Sequence, residues 1–202
     1  DDQKKKEWEL REKSQKDSLT GLLNNSTIKQ QIGARLQSLK RGQTGYLVVQ
    51  DVDSFKKIND TNGHLFGDAV LCSFADELSN IFPEALKGRI GGDEFVFYVE
   101  DMDREHLEEK LKQLNRCMSD RYDDDKTGLH ISCSLGAAVT DGTVTDYNLL
   151  FQWADAALYQ VKSKGKGAYY LLDVKEGVAL PGKSYLDSEE NKEDEIAHKE
   201  AQ

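Results

Sequence analysis

The chain has 202 residues, 38% hydrophobic and 32% charged, and a formal net charge of −10. That is enough apolar material for one core with polar ends, and no apolar run approaches the length of a membrane span. The acidic balance excludes broad binding to duplex nucleic acid, which needs a basic face, but leaves room for a small phosphate ligand held by local lysines.

The chain opens on Asp1 rather than Met, with no leader pattern, as expected of a piece excised from a longer protein. Residues 1–16 are charged, with Trp8 and Leu10 their large apolar residues, and read as the end of a connecting helix. Ser26 is expected to cap a helix through about Leu39, with Ile28, Ile32 and Leu36 on one face. Tyr46 to Val49 is a short continuous apolar run, the pattern of a strand buried on both faces, ending at Asp51. A second helix is expected after Gly67, with Val70, Leu71, Phe74 and Leu78 inward.

Arg89-Ile90 and Phe95 to Val99 are strand-like and flank Gly91-Gly92-Asp93-Glu94, a hairpin pattern in which both glycines can take positive φ. A helix from about Arg104 to Asp120 follows. Leu129 to Val139 then reads as a strand with Gly136 a bulge candidate. Tyr147 to Lys164 reads as a helix and Tyr169 to Leu172 as a last strand. From Asp173 to Gln202 there are nine acids and four lysines, and this end is expected to be disordered. Cys72, Cys117 and Cys133 form no CxxC pair and read as reduced core cysteines. The alternation implies a mixed α/β domain, a single sheet covered by helices.

Two acidic clusters stand where strands end: Asp51-Val52-Asp53 and Asp93-Glu94. If the two strands are neighbours, Asp51 and Asp93 face each other, and a divalent cation relieves their repulsion. Hard oxygen ligands without histidine or cysteine point to magnesium or manganese, with water and substrate phosphates completing the shell. Alone, each piece is ordinary. Asp-x-Asp occurs in common turns and in nucleotide-sugar glycosyltransferases, and Gly-Gly is simply a hairpin.

Their neighbours give them weight. Asp51 through Asp60 leads into Gly63-His64 and Gly67-Asp68. With Arg89-Ile90-Gly91-Gly92-Asp93-Glu94-Phe95, this resembles the GGDEF family of diguanylate cyclases. Asp17 to Asn24 looks like the family's opening segment, Ile131 to Gly136 like its late strand, and Ala154 to Tyr159 with Lys162 and Lys166 like its last helix. The resemblance implies an α+β fold, a single central, mostly antiparallel sheet flanked by helices like the nucleotidyl cyclases and polymerase palms. It divides the chain into a connecting helix (1–16), the cyclase domain (17–173) and an acidic tail (174–202).

The implied reaction condenses two GTP into cyclic di-GMP and pyrophosphate by attack of a ribose 3′-oxygen on an α-phosphate, across a homodimer of domains. Asp51, the Val52 carbonyl and Asp93 are the implied ligands of Mg²⁺ or Mn²⁺. Glu94 assists a second metal or deprotonates the 3′-hydroxyl. Gly91 and Gly92 let backbone approach the nucleotide. Ser54, Phe55 and Lys56 open a helix-like turn suited to phosphate, and Lys162 and Lys166, one turn apart at the end of the last helix, contact the triphosphate. Their plain alternative is a solvated helix end that suits the dipole. Asn59 and Asp68 match the family's guanine readers, the alternative being turn and cap residues. His64 reads as loop packing.

Where many members carry an Arg-x-x-Asp product-inhibition motif, this chain has Phe82-Pro83-Glu84-Ala85, so that site is expected to be missing. The resemblance further implies an upstream sensory domain and a cytoplasmic location, either free or as the cytoplasmic part of a membrane-anchored sensor. It leaves one rival: a catalytically silent, GTP-binding regulatory domain of the same family.

Overall fold

The computed structural model describes residues 3, 14–123, 129–180 and 196–197. Most of the expected connecting helix (1–16) and of the acidic tail (174–202) therefore lies outside the described residues. Helix α1 (Asn25–Ser38) is capped by Asn24, whose side chain accepts from the Thr27 amide at 3.1 Å. The expected cap, Ser26, lies inside the helix and donates to that same Asn24 side chain instead. Strand β1 (Gly45–Val52) is buried along its whole length. Two helices follow, α2 (Phe55–Asn62) and α3 (His64–Ile81). Gly67 falls inside α3 rather than before it.

The hairpin is β2 (Leu86–Arg89) and β3 (Glu94–Glu100). Helix α4 (Arg104–Tyr122), strand β4 (Cys133–Thr140), helix α5 (Tyr147–Ser163) and strand β5 (Tyr169–Asp173) complete the alternation. The strands lie in the order β2-β3-β1-β4-β5, with the two-residue β6 (Ile196–Ala197) along β5. Every pairing is antiparallel except β4 with β5. Among the described residues, no helix is long and apolar enough to cross a membrane.

Burial on both faces explains why β1 is apolar throughout rather than alternating. Tyr46, Val48 and Val52 pack with α3 and α4 residues, including Phe74, Leu78, Leu107 and Leu111. Leu47 and Val49 pack on the other face with Ile28, Ile32 and Leu36 of α1 and Leu150, Ala154 and Leu158 of α5. The three α1 residues have no exposed area, as their four-residue spacing predicts.

Gly136 is not a bulge: β4 runs through it in unbroken register against Val49. A Cβ there would lie 2.2 Å from both the Ala154 carbonyl oxygen and the Leu158 nitrogen. Its role is to let α5 settle directly on the sheet. That contact sets the depth of α5, and so the position of its last turn over the end of β1.

Candidate active site

Asp51 and Val52 are the last residues of β1, inside the ladder rather than past it. The β1–β3 register pairs Asp51 with Glu94, and the Val52 amide donates to the Asp93 carbonyl at 3.3 Å. The two acidic clusters are therefore neighbours, but the residue directly across from Asp51 is Glu94. Asp93 sits one position earlier, in the turn.

A cleft of about 520 Å³ opens at this edge. It is lined by Asp51, Val52, Ser54, Phe55, Lys56, Asn59, Asp93, Lys162 and Lys166, all named from sequence, and also by Asp53, Asp60 and His64. His64 is exposed at the cleft rather than packed in a loop. Asp68, Gly91, Gly92 and Glu94 lie outside this lining.

Neither Gly91 nor Gly92 takes the positive φ expected of the turn. What they contribute is space. A Cβ on Gly92 would meet nothing within 4 Å, and one on Gly91 would meet the Glu94 carboxylate at 2.7 Å. The turn is held instead by Arg89. Its guanidinium donates to the Gly92 carbonyl at 2.7 and 3.0 Å and to both Asp17 oxygens at 3.2 Å. Asp17 in turn accepts from the Thr20 amide and hydroxyl. This tie from the opening segment to the hairpin was not assigned from sequence, although both residues stand in the quoted motifs.

Asp53 has a different task from Asp51. It is buried and accepts from the Ser132 hydroxyl (2.7 Å), the Ser134 hydroxyl (2.7 Å) and the Gly167 amide (3.0 Å). It thus stitches the end of β1 to β4 and to the loop after α5. That loop carries Lys166, which stands beyond the helix rather than on its last turn. Lys166 and Ser54 both adopt left-handed backbone, at φ 68 and 56, and the Lys166 ammonium donates to Ser54 Oγ at 3.1 Å. Such strain is tolerated where surrounding contacts over-determine the conformation. Ser54 precedes α2 without capping it through its side chain, so the helix start faces the cleft with amides that its first turn leaves unbonded.

Asn59 is aimed by a glycine. A Cβ on Gly67 would lie 1.9 Å from Asn59 Oδ1 and 3.1 Å from the Phe55 ring. Asn59 Oδ1 is itself buried with no hydrogen-bond partner among the described residues, an acceptor without a donor.

The electrostatics are those of crowded acids partly removed from water. Burial pushes the Asp93 carboxyl above its ordinary value. Glu94 moves the same way, first through burial and then through the negative charges of Asp93 and Asp155. Lys162 reaches Asp51 Oδ2 and pairs with it. Burial, with help from Lys166, lowers the Lys162 ammonium below its ordinary value.

The second Asp51 oxygen, Oδ1, is buried with no hydrogen-bond partner among the described residues. An orphaned carboxylate oxygen next to a backbone carbonyl and a second acid fits a hard divalent cation. Among the described residues, no group of three His, Cys, Asp or Glu side chains is placed to hold a metal ion.

Comparison with known proteins gives the family. The family model described as diguanylate cyclase, GGDEF domain, matches residues 14–168. The chain is 35% identical over 164 residues to diguanylate cyclase DgcS of Shewanella oneidensis, covering 77% of this chain and 52% of that one. It is 30% identical over 164 residues to the probable diguanylate cyclase DgcT of Escherichia coli, covering 79% and 36%. The chain thus spans about a third to a half of the length of these curated relatives. In fold, it is similar to the coiled coil and GGDEF domain of DgcB from Caulobacter crescentus, solved in complex with c-di-GMP. The TM-score is 0.75 at 24% identity, over 85% of this chain and 91% of that one.

Proposed function

Since the chain belongs to the GGDEF diguanylate cyclase family, we propose that its cleft binds GTP and that two such domains condense two GTP into cyclic di-GMP. The observation that carries this reading is the β1–β3 register. It brings Asp51, with its orphaned oxygen, beside the Asp93 turn, in one cleft with the α2 start and two lysines.

The triphosphate lies against the amides of Ser54, Phe55 and Lys56, with Lys162 and Lys166 supplying charge. Asn59 and Asp68 face the guanine edge, whose N1–H and N2–H₂ donors match an amide oxygen and a carboxylate. By analogy with other base-edge pairs, each good pair contributes about 1–3 kcal/mol of discrimination. Asp51, the Val52 carbonyl and Asp93 are the residues that would hold Mg²⁺ or Mn²⁺, whose chemistry when bound is to neutralise charge on the phosphates and lower the pKa of the attacking hydroxyl. Glu94, with its raised affinity for a proton, takes the 3′-hydroxyl proton or supports the second cation. In each half-reaction the 3′-oxygen forms a bond to the α-phosphorus of the opposing GTP, and the bond to pyrophosphate breaks. Two half-reactions close the ring and release two pyrophosphates.

Each domain holds one GTP, so activity requires a second copy of the chain, brought into register by the connecting helix (1–16) under an upstream sensor. The 17–173 domain then acts in the cytoplasm, with the acidic tail (174–202) outside the site. Product inhibition at the Phe82–Ala85 turn is absent. Phe82 is buried against Phe97 with ring centroids 5.0 Å apart, and the Lys87 ammonium takes the carbonyls of Phe82, Pro83 and Ala85 at 2.9, 3.1 and 3.0 Å.

The test is incubation with GTP and Mg²⁺, with and without enforced dimerisation, and mass spectrometry for cyclic di-GMP. Product is expected from wild type and lost in Asp93→Ala. GTP binding without product from the enforced dimer would leave the silent regulatory domain as the correct reading.

A further inference from the structure

Lys162 stands on the last turn of α5, yet its ammonium is spent on Asp51, a residue 111 positions earlier in the chain. A second cleft lysine behaves differently: the Lys166 ammonium rests on the neutral Ser54 hydroxyl. The Asp51 side chain is 12% exposed and that of Lys162 37%, so the lysine leans in from the wall while the carboxylate lies at the floor. Among the described residues, Lys162 engages Asp51 Oδ2, and Oδ1 is left buried without a hydrogen-bond partner. A single ammonium therefore half-satisfies a site whose donors suit a divalent ion, and two cations repel strongly at one partly buried carboxylate.

We propose that Lys162 is a resident counter-ion of the metal site, competing with the divalent cation for Asp51 until a triphosphate draws the ammonium away. This rests on the metal reading of Asp51 given above. It assigns Lys162 a positioning role in addition to phosphate contact: without nucleotide it keeps Asp51 paired and the metal weakly held. A bound triphosphate offers the ammonium a better partner and frees Asp51. Metal and nucleotide then strengthen each other's binding reciprocally, with Lys162 as part of the coupling.

The experiment is Mn²⁺ titration of the whole chain, followed by the electron paramagnetic resonance of free Mn²⁺, with and without a non-hydrolysable GTP analogue. Lys162→Met is expected to bind Mn²⁺ about fivefold more tightly than wild type in the absence of nucleotide, the scale of a partly exposed ion pair. Its gain on adding the analogue should shrink by the same factor. Lys162→Arg should restore the weak wild-type affinity, and Lys166→Met should not tighten binding. In chelator, Lys162→Met should melt below wild type and gain more from added Mn²⁺, a readout independent of activity and of the resonance signal. Unchanged or weaker Mn²⁺ binding in Lys162→Met would overturn the competition while leaving the metal site intact. If Asp51→Asn binds Mn²⁺ as well as wild type, or wild type binds none even with the analogue, the metal reading falls and the competition with it.

Discussion

Replacing Asp53 by Ala should unfold this protein more readily than any change at the neighbouring Asp51. Asp53 is buried and accepts three hydrogen bonds, two from serine hydroxyls at 2.7 Å and one from the Gly167 amide at 3.0 Å. Alanine leaves the Ser132 and Ser134 hydroxyls without this acceptor and the Gly167 amide with only the Ser134 hydroxyl oxygen, at 3.1 Å. A hydrogen bond to a charged group contributes about 1.5–3 kcal/mol, part of which is recovered because the carboxylate no longer has to be desolvated. The net loss should be about 3–5 kcal/mol. For a chain of this size each kcal/mol moves the melting temperature by about 2–4 °C, so the fall should be about 10 °C.

Asp53→Asn should cost less, about 1–2 kcal/mol, since an amide keeps one acceptor and Ser134 Oγ can accept from its NH₂. Thermal and urea unfolding by circular dichroism measure both variants, and the Ser134→Ala cycle with Asp53→Asn measures the coupling directly. If Asp53→Ala melts within a few degrees of wild type while Mn²⁺ affinity collapses, Asp53 is a metal ligand and the structural assignment is wrong.

Three further outcomes are expected. Gln50 has no exposed area, and neither its amide oxygen nor its nitrogen finds a partner among the described residues; it lies on β1 between Phe95 and Leu135. Gln50→Leu should therefore stabilise the protein by about 1–2 kcal/mol in the same unfolding assays, and a loss of stability would contradict it. Gly67→Ala places a methyl 1.9 Å from Asn59 Oδ1. It should weaken GTP binding by about tenfold, as for one lost base-edge pair, with circular dichroism unchanged; calorimetry with a GTP analogue decides.

The last concerns pH. Burial alone would raise the Asp17 carboxyl, but hydrogen bonds from Thr20 and the charge of Arg89 outweigh it and hold the group below its ordinary 3.8. A depressed carboxylate stabilises the fold above its unfolded pKa, and that stabilisation is lost as pH falls through the lower folded value. Asp17→Asn should thus be about 1 kcal/mol less stable than wild type at neutral pH, with the gap closing only below about pH 3.8. A gap that persists unchanged into stronger acid would mean that Asp17 acts without its charge.

Much of the fold was legible because its signals are local. The four-residue spacing of Ile28, Ile32 and Leu36 marked the buried face of α1, and the unbroken run through Val49 marked a strand covered on both sides. Boundaries were less legible. Ser26 and Asn24 are both good caps, and only the backbone at Asn24, extended at φ −78 and ψ 170, decides between them. Gly136 carries a real signal that reads as a bulge, and the Gly91-Gly92 pair one that reads both as a positive-φ turn and as room for the nucleotide. In the structure what matters is the missing Cβ: helix backbone comes close at Gly136, the Glu94 carboxylate comes close at Gly91, and Gly92 leaves open space. A sequence shows that a side chain is absent but not what needs the room.

For the site, the residue chemistry was written in the sequence itself. Spaced acids, a paired glycine turn, the Asn59 and Asp68 positions and two late lysines identify the family without coordinates, because the motifs are short and follow one another in order. Which contacts each of those residues makes depends on tertiary structure. Asp51 and Asp53 are two positions apart and chemically identical, and both line the cleft, yet one pairs with Lys162 while the other is consumed by Ser132, Ser134 and Gly167. The reason is the strand order β3-β1-β4, which sets the end of β1 between partners drawn from distant parts of the chain. Which donors reach a given carboxylate depends on that long-range arrangement.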